Sequence, residues 1–289
     1  MPSFTPDEAA ACRRLIDLAL AEDLGPTGDR TSLATIPAAS TSRAAFVARS
    51  PGVIAGLPAA ELVCAAVDPA LRFQAVVPDG SPVARGTVIA TVEGPLRSVL
   101  AAERTALNFL QRLSGVASLT RKFVDAVAGS SAKILDTRKT TPGWRLIEKY
   151  GVRCGGGHNH RIGLYDGILI KDNHLAGLGG DVRRAVEAAR SHPGNAGLPV
   201  EVEVDTLEQL EAALAVRADI VLLDNMTLDD LRTAVGRRNA VAPGVLLEAS
   251  GGVNLVTVGA IARTGVDRVS VGALTHSAPA LDIGLDYLA

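Results

Sequence analysis

Two short apolar runs in the middle of this 289-residue chain each end in a cluster of polar and cationic groups. Ile134-Leu135 leads into Asp136-Thr137-Arg138-Lys139, and Ile168-Leu169-Ile170 leads into Lys171-Asp172-Asn173-His174. Between them lie a glycine triplet, Gly155-Gly156-Gly157, and then His158-Asn159-His160-Arg161. A strand that is apolar along its length belongs in a buried parallel sheet. Charge packed at its carboxyl end marks the mouth of an α/β sheet or barrel, where ligands bind. Cations and imidazoles gathered at two such ends point to a polyanionic ligand.

Acidic groups follow. Val200-Glu201-Val202-Glu203-Val204-Asp205 alternates strictly, so its three acids share one face, the interior or mouth of a barrel with helices outside. Carboxylates gathered there need cations to stay ionised. Glu203 with Asp224 could hold Mg²⁺, an oxygen-ligand ion often shared with substrate phosphates; a salt-bridge layer with Arg138 or Lys171 is the structural alternative. Ser250-Gly251-Gly252 follows a strand and opens a helix, where bare N–H groups make a phosphate cradle, and Gly272 to His276 could form a second wall. Lys171 at a strand end could also be a Schiff-base nucleophile if desolvation lowers its pKa. Cys154, His158 and His160 have a spacing that could suit Zn²⁺, with no fourth ligand nearby. Arg104, inside a helix, reads by default as solvated.

The elements that must carry these groups fall into two patterns. Residues 7–22 have helical apolar spacing and end at Gly25-Pro26. Strand-like runs at Ala44-Val47, Val53-Ala55, Leu71-Val77 and Thr87-Val92 are punctuated by turn signals and interrupted by a helix from Pro58 to Ala66, which suggests an α+β domain. Ser98 caps a long helix expected to reach about Leu113 and stop at Gly115. Beyond it, strands expected at Lys133-Asp136, Gly167-Lys171, Val200-Val204, Ile220-Asp224, Val245-Ser250 and Arg268-Gly272 alternate with amphipathic helices. That alternation predicts an α/β fold, an incomplete (β/α) TIM-like barrel preceded by an α+β open sandwich domain. The expected division is 1–114 for the first domain and 115–276 for the barrel, with the tail 277–289 packing back on the first.

Hydrophobic residues make up 47% of the chain and aromatics 3%, so the core should be aliphatic. A net charge of −2 argues against a nucleic-acid or acidic-membrane binder and makes the cation clusters a local concentration. No apolar run approaches the ~20 residues of a membrane span. Cys12, Cys64 and Cys154 form no disulfide framework and fit a reducing cytoplasm.

Taken together these segments resemble the quinolinate phosphoribosyltransferases, the carboxylating nicotinate-nucleotide pyrophosphorylases. The matching pieces are Glu103-Arg104-Thr105-Ala106-Leu107-Asn108, Asp136 to Pro142, Gly156 to Arg161, Leu169 to His174, Glu201-Val202-Glu203, Leu223-Asp224-Asn225, Ser250-Gly251-Gly252 and Gly272 to His276. They run in family order from about residue 20 to the C-terminus. The resemblance implies transfer of the phosphoribosyl group of 5-phosphoribosyl 1-diphosphate (PRPP) to quinolinate. Diphosphate and CO₂ are released and nicotinate mononucleotide is formed. It implies that Arg138, His160, Arg161 and Lys171 grip the carboxylates of quinolinate, and that Thr137 is among the substrate-binding residues. Lys139 would contact both substrates, and Arg104 would arrive from the other subunit of a homodimer. Glu203 and Asp224 would hold Mg²⁺ and the ribose hydroxyls, and Ser250, Gly251, Gly252, Gly272 and His276 would take the 5-phosphate. Lys139, Lys171, Glu203 and Asp224 are the catalytic set on this reading. A family homologue with a different acceptor, or a barrel Schiff-base lyase using Lys171, are the competing expectations.

Overall fold

The computed structural model describes residues 3–288, which form two compact units. The first takes the chain up to Arg121, then Lys139–Gly157, then the chain from Leu274. Its opening helix, Pro6–Leu24, is fixed by a capping box in which the Thr5 hydroxyl accepts the Glu8 N–H at 3.2 Å and the Glu8 carboxylate accepts the Thr5 N–H at 2.8 Å. The strands are β1 (Thr41–Ala48), β2 (Gly52–Val53), β3 (Arg72–Ala75), β4 (Pro82–Val83), β5 (Val88–Pro95) and the C-terminal β12 (Ile283–Leu288). Four of them make an antiparallel sheet in the order β12-β1-β5-β3, with Arg43 opposite Leu288 and Ala48 opposite Ile283, while β2 and β4 form a separate pair. The buried cluster of this unit is aliphatic apart from Phe46, Phe109, Tyr150 and the cysteines Cys12, Cys64 and Cys154, in keeping with the composition.

Gly115 does not end its helix, which runs unbroken over Leu96–Ala126. A Cβ at Gly115 would stand 2.1 Å from the Pro279 carbonyl oxygen, so this glycine lets the returning tail approach the helix. The expected boundary at residue 114 therefore lies within a helix. The helix Arg145–Cys154, which the sequence reading left out, carries a fully buried Glu148. That carboxylate accepts Arg112 Nη2 at 2.6 Å, the Thr141 N–H at 3.0 Å and the Thr141 hydroxyl at 2.8 Å, and so fixes the segment following Lys139.

The second unit takes Lys122–Arg138 and His158–Ala273. Its strands are β6 (Lys133–Leu135), β7 (Ile168–Ile170), β8 (Val200–Val204), β9 (Ile220–Asp224), β10 (Leu246–Ser250) and β11 (Arg268–Ser270). All neighbours are parallel, in the order β6-β11-β10-β9-β8-β7, so β6 and β7 are the two edges of an open barrel sheet. The helices Val182–Ser191, Leu207–Ala215, Leu228–Val241 and Val258–Ala262 lie between strands in sequence. On the free edge of β6 the chain returns at His158, whose N–H donates to the Ile134 carbonyl at 2.8 Å and whose carbonyl accepts the Asp136 N–H at 3.1 Å. This single parallel bridge puts the segment 158–161 against the edge strand. Among the described residues no helix is long and apolar enough to cross a membrane.

Candidate active site at the strand ends of the second unit

Because the six strands are parallel, their carboxyl ends share one edge of the sheet. Ser250 pairs with Asp224, and Glu203 pairs with Leu222, which puts Asp224 on the same face as Glu203 one pleat further along. The Asp224 carboxylate accepts Asn225 Nδ2 at 2.7 Å, and the Asn225 N–H donates to the Ser250 carbonyl at 3.0 Å, so the ends of β9 and β10 are tied together. Gly251, at φ +93°, presses on that tie: a Cβ there would meet Asn225 Oδ1 at 2.1 Å and Asn225 N at 2.9 Å. Only glycine lets the Ser250-Gly252 turn keep its exposed backbone.

Lys171 follows β7 directly. Its N–H donates to His174 Nδ1 at 3.0 Å and its ammonium pairs with the Glu203 carboxylate, which is largely buried. One interior acid thus receives the cation that burial demands. Asp205 falls outside this arrangement, because β8 ends at Val204 and Asp205 is exposed.

The segment 158–161 is held by groups of the same unit. Asp136, fully buried at the end of β6, accepts Asn159 Nδ2 at 2.6 Å and the His160 N–H at 2.9 Å. His160 Nδ1 in turn accepts the Arg161 N–H at 2.8 Å, and Arg161 Nη1 donates to the Gly167 carbonyl at 3.1 Å. Partial burial lowers the pKa of the Arg161 guanidinium, and the positive charge of Arg138 lowers it further. Both guanidiniums are partly buried, and the charges of Glu201 and Asp166 act on Arg161 in the opposite sense to that of Arg138. Thr137 and Arg138 follow β6 and are half-buried.

Inside the sheet lies a cluster that sequence reasoning did not assemble. His160 Nε2 is 3.0 Å from Glu201 Oε2 and 3.5 Å from Glu248 Oε1. Glu248 is wholly buried, and burial, then the charge of Glu201, pushes its carboxyl up from the ordinary value. A cavity of about 120 Å³ with His160, Arg161, Glu201 and Arg268 among its walls adjoins the cluster. The available signal was a lone acid inside the apolar run of β10, Leu246-Leu247-Glu248-Ala249.

The structure brings Thr137, Arg138, His160, Arg161, Lys171, Glu203, Asp224, Ser250, Gly251, Gly252 and Gly272 into the second unit. Arg104, Lys139 and His276 belong to the first. Arg104 is exposed on the helix Leu96–Ala126, the Lys139 carbonyl accepts the Thr275 hydroxyl at 2.7 Å, and His276 Nδ1 lies 2.6 Å from Ser277 Oγ. Cys154 is buried, with its thiol pushed up to about 12 chiefly by desolvation.

The sequence matches the profile of the quinolinate phosphoribosyl transferase N-terminal domain over residues 29–114 and that of the C-terminal domain over 116–286. It is 49% identical over 283 residues to a carboxylating nicotinate-nucleotide pyrophosphorylase of Mycobacterium leprae, covering 96% of this chain and 98% of that protein. A decarboxylating quinolinate phosphoribosyltransferase of Nicotiana glauca is 43% identical over 285 residues, covering 94% of this chain and 81% of its own length. The structure is similar to that of the nicotinate-nucleotide pyrophosphorylase of Francisella tularensis, with a TM-score of 0.91 and 39% identity, over 100% of this chain and 99% of the other.

Proposed function

The chain belongs to the quinolinate phosphoribosyltransferase family, and from that premise we propose how its groups divide the work of the reaction. The protein transfers the phosphoribosyl group of PRPP to the ring nitrogen of quinolinate, with release of diphosphate and CO₂ and formation of nicotinate mononucleotide. What supports the assignment of the acceptor is the pair Arg138 and Arg161, two partly buried guanidiniums near enough for the charge of the first to disfavour that of the second, which a dicarboxylate would offset. Charge-assisted hydrogen bonds of this kind contribute roughly 1.5–3 kcal/mol each. His160 and Lys171 complete the grip, and Lys139 contacts both substrates.

The donor takes the other side. Ser250, Gly251, Gly252, Gly272 and His276 receive the 5-phosphate through the bare turn after β10 and the start of the last helix. Glu203 and Asp224 offer oxygen donors from one face of adjacent strands, a set that fits Mg²⁺ better than the softer metals favoured by imidazole. They would hold it with the ribose hydroxyls, and when bound it supplies positive charge opposite the departing diphosphate. As diphosphate leaves, C1 of the ribose becomes oxocarbenium-like, and the carboxylates of Glu203 and Asp224 stabilise that charge. Lys171, released from Glu203 as substrates enter, is free to turn to a carboxylate of the acceptor. Ribosylation makes the ring nitrogen cationic, and the neighbouring carboxylate then departs as CO₂ with its electrons stabilised by that cation. The arrangement requires no decarboxylation cofactor.

Arg104 is exposed, and its role fits a homodimer in which it completes the site of the other subunit. A phosphorylated donor and three buried free thiols fit a cytoplasmic enzyme. The test incubates purified protein with PRPP, Mg²⁺ and either quinolinate or nicotinate. Nicotinate mononucleotide and CO₂ from quinolinate alone support the assignment; turnover of nicotinate at the same rate, or of neither acid, overturns it.

A further inference from the structure

We propose that Glu201 is a positioning residue for the acceptor site, acting through the His160 ring on the backbone that carries Arg161. The proposal rests on the assignment of Arg161 to the quinolinate carboxylates. His160, Glu201 and Glu248 place one imidazole and two carboxylates so that a donor atom of each lies within 4.8 Å of the others, a composition that invites a metal. The hydrogen bond on the far side of the ring decides against one. His160 Nδ1 accepts the Arg161 N–H at 2.8 Å, so its lone pair is engaged and the ring proton sits on Nε2. A ring in that tautomer donates from Nε2 and has no lone pair there for an ion. Glu201 Oε2, 3.0 Å away, receives that proton, and Glu248 Oε1 stands behind it at 3.5 Å.

The contact is largely enclosed: the His160 side chain is 11% exposed and that of Glu201 4%, and Glu201 Oε1 has no hydrogen-bond partner. Glu248 is wholly buried, with the Ser270 side chain beside it. The His160 N–H is the answer that this pair of carboxylates receives from the segment 158–161. Two fixed points then define the segment: Asp136 holds the main chain at His160 and the side chain of Asn159, and Glu201 holds the ring. With the ring held, Nδ1 orients the Arg161 amide, and the Arg161 guanidinium leaves the backbone toward the Gly167 carbonyl and Arg138. Glu201 touches neither reacting atom; besides holding the ring, its charge favours the charged form of Arg161, a contribution that Glu201→Gln removes while keeping the hydrogen-bond acceptor.

Glu201→Leu removes the acceptor at similar size, and Glu201→Gln retains an oxygen that accepts the same Nε2–H. The account expects Glu201→Leu to raise the KM for quinolinate about tenfold or more, with the KM for PRPP within about twofold of wild type. Glu201→Gln should restore the quinolinate KM to within about threefold. Equal kinetics for Glu201→Leu and wild type, or equal rises in both KM values, overturn the role. A second measurement is independent of activity and of the Leu variant's folding. Long-range ¹H–¹⁵N spectra of histidine-labelled wild-type protein, with the resonance assigned by its loss in His160→Asn, should show His160 as the Nε2–H tautomer. An Nδ1–H tautomer, or one Zn²⁺ bound per chain in equilibrium dialysis and lost in Glu248→Gln, overturns the proposal. Should wild-type protein leave quinolinate unreacted, the reaction assignment fails while the tautomer spectrum still tests the contact.

Discussion

A guanidinium that loses solvent and faces a second guanidinium is disfavoured in its charged form, and Arg161 meets both conditions beside Arg138. On the proposed reading, an incoming dicarboxylate offsets this repulsion. Lys171 shows the complementary case, a cation paired with the acid Glu203, which the proposed reading has substrates separate. Lys171→Ala should lose about 100-fold or more in kcat/KM while its melting temperature stays within a few degrees of wild type; wild-type kinetics would remove Lys171 from the site. Glu248 tests the interior. Its pKa is raised by burial and by Glu201, so the folded chain keeps its proton to a higher pH than the unfolded chain does. Its contribution to stability is therefore complete below the ordinary carboxylate value and fades as pH rises through the elevated one. Glu248→Gln, neutral throughout, should flatten the fall in melting temperature between about pH 5 and about pH 7. An unchanged slope would mean that Glu248 ionises normally.

At the scale of elements, the site depends on how closely backbones approach. The turn after β10 carries Gly251 at φ +93°, and a Cβ there would meet Asn225 Oδ1 at 2.1 Å. Gly251→Ala should raise the KM for PRPP about tenfold or more and leave that for quinolinate nearly unchanged, because only the phosphate cradle shifts; a selective effect on quinolinate would place the phosphate elsewhere. Gly115 explains why an apparent helix stop was misleading. Its role is contact with the Pro279 carbonyl, and local pattern is silent about which distant segment comes back to touch a helix. Gly115→Ala should cost about 1–3 kcal/mol of stability by overpacking, read as a lower melting temperature with the helix content unchanged.

For the molecule as a whole, the alternation of apolar strands and amphipathic helices from Lys133 to Gly272 was legible because each strand announces itself locally, and the polar residue at its end marks the mouth. Glu203, Asp224 and Ser250-Gly252 could be placed on that logic alone. What the chain did not announce are pairings between distant segments: Glu148 receiving Arg112, His158 bridging to β6, and Glu201 and Glu248 meeting at His160. Each joins groups whose separation in sequence is unrelated to any local period. The same limit applies between subunits, where Arg104 is assigned by kinship and exposure. Mixing inactive Arg104→Ala with inactive Lys171→Ala protein should restore part of the activity once subunits exchange; no recovery despite demonstrated exchange would show that each chain completes its own site.

Recognition of the acceptor by Arg138 and Arg161 is tested by the steady-state kinetics of Arg161→Gln with each substrate varied in turn. The account predicts a quinolinate KM raised at least about tenfold and a PRPP KM within about twofold of wild type. An unchanged quinolinate KM, or a loss falling equally on both substrates, would contradict it.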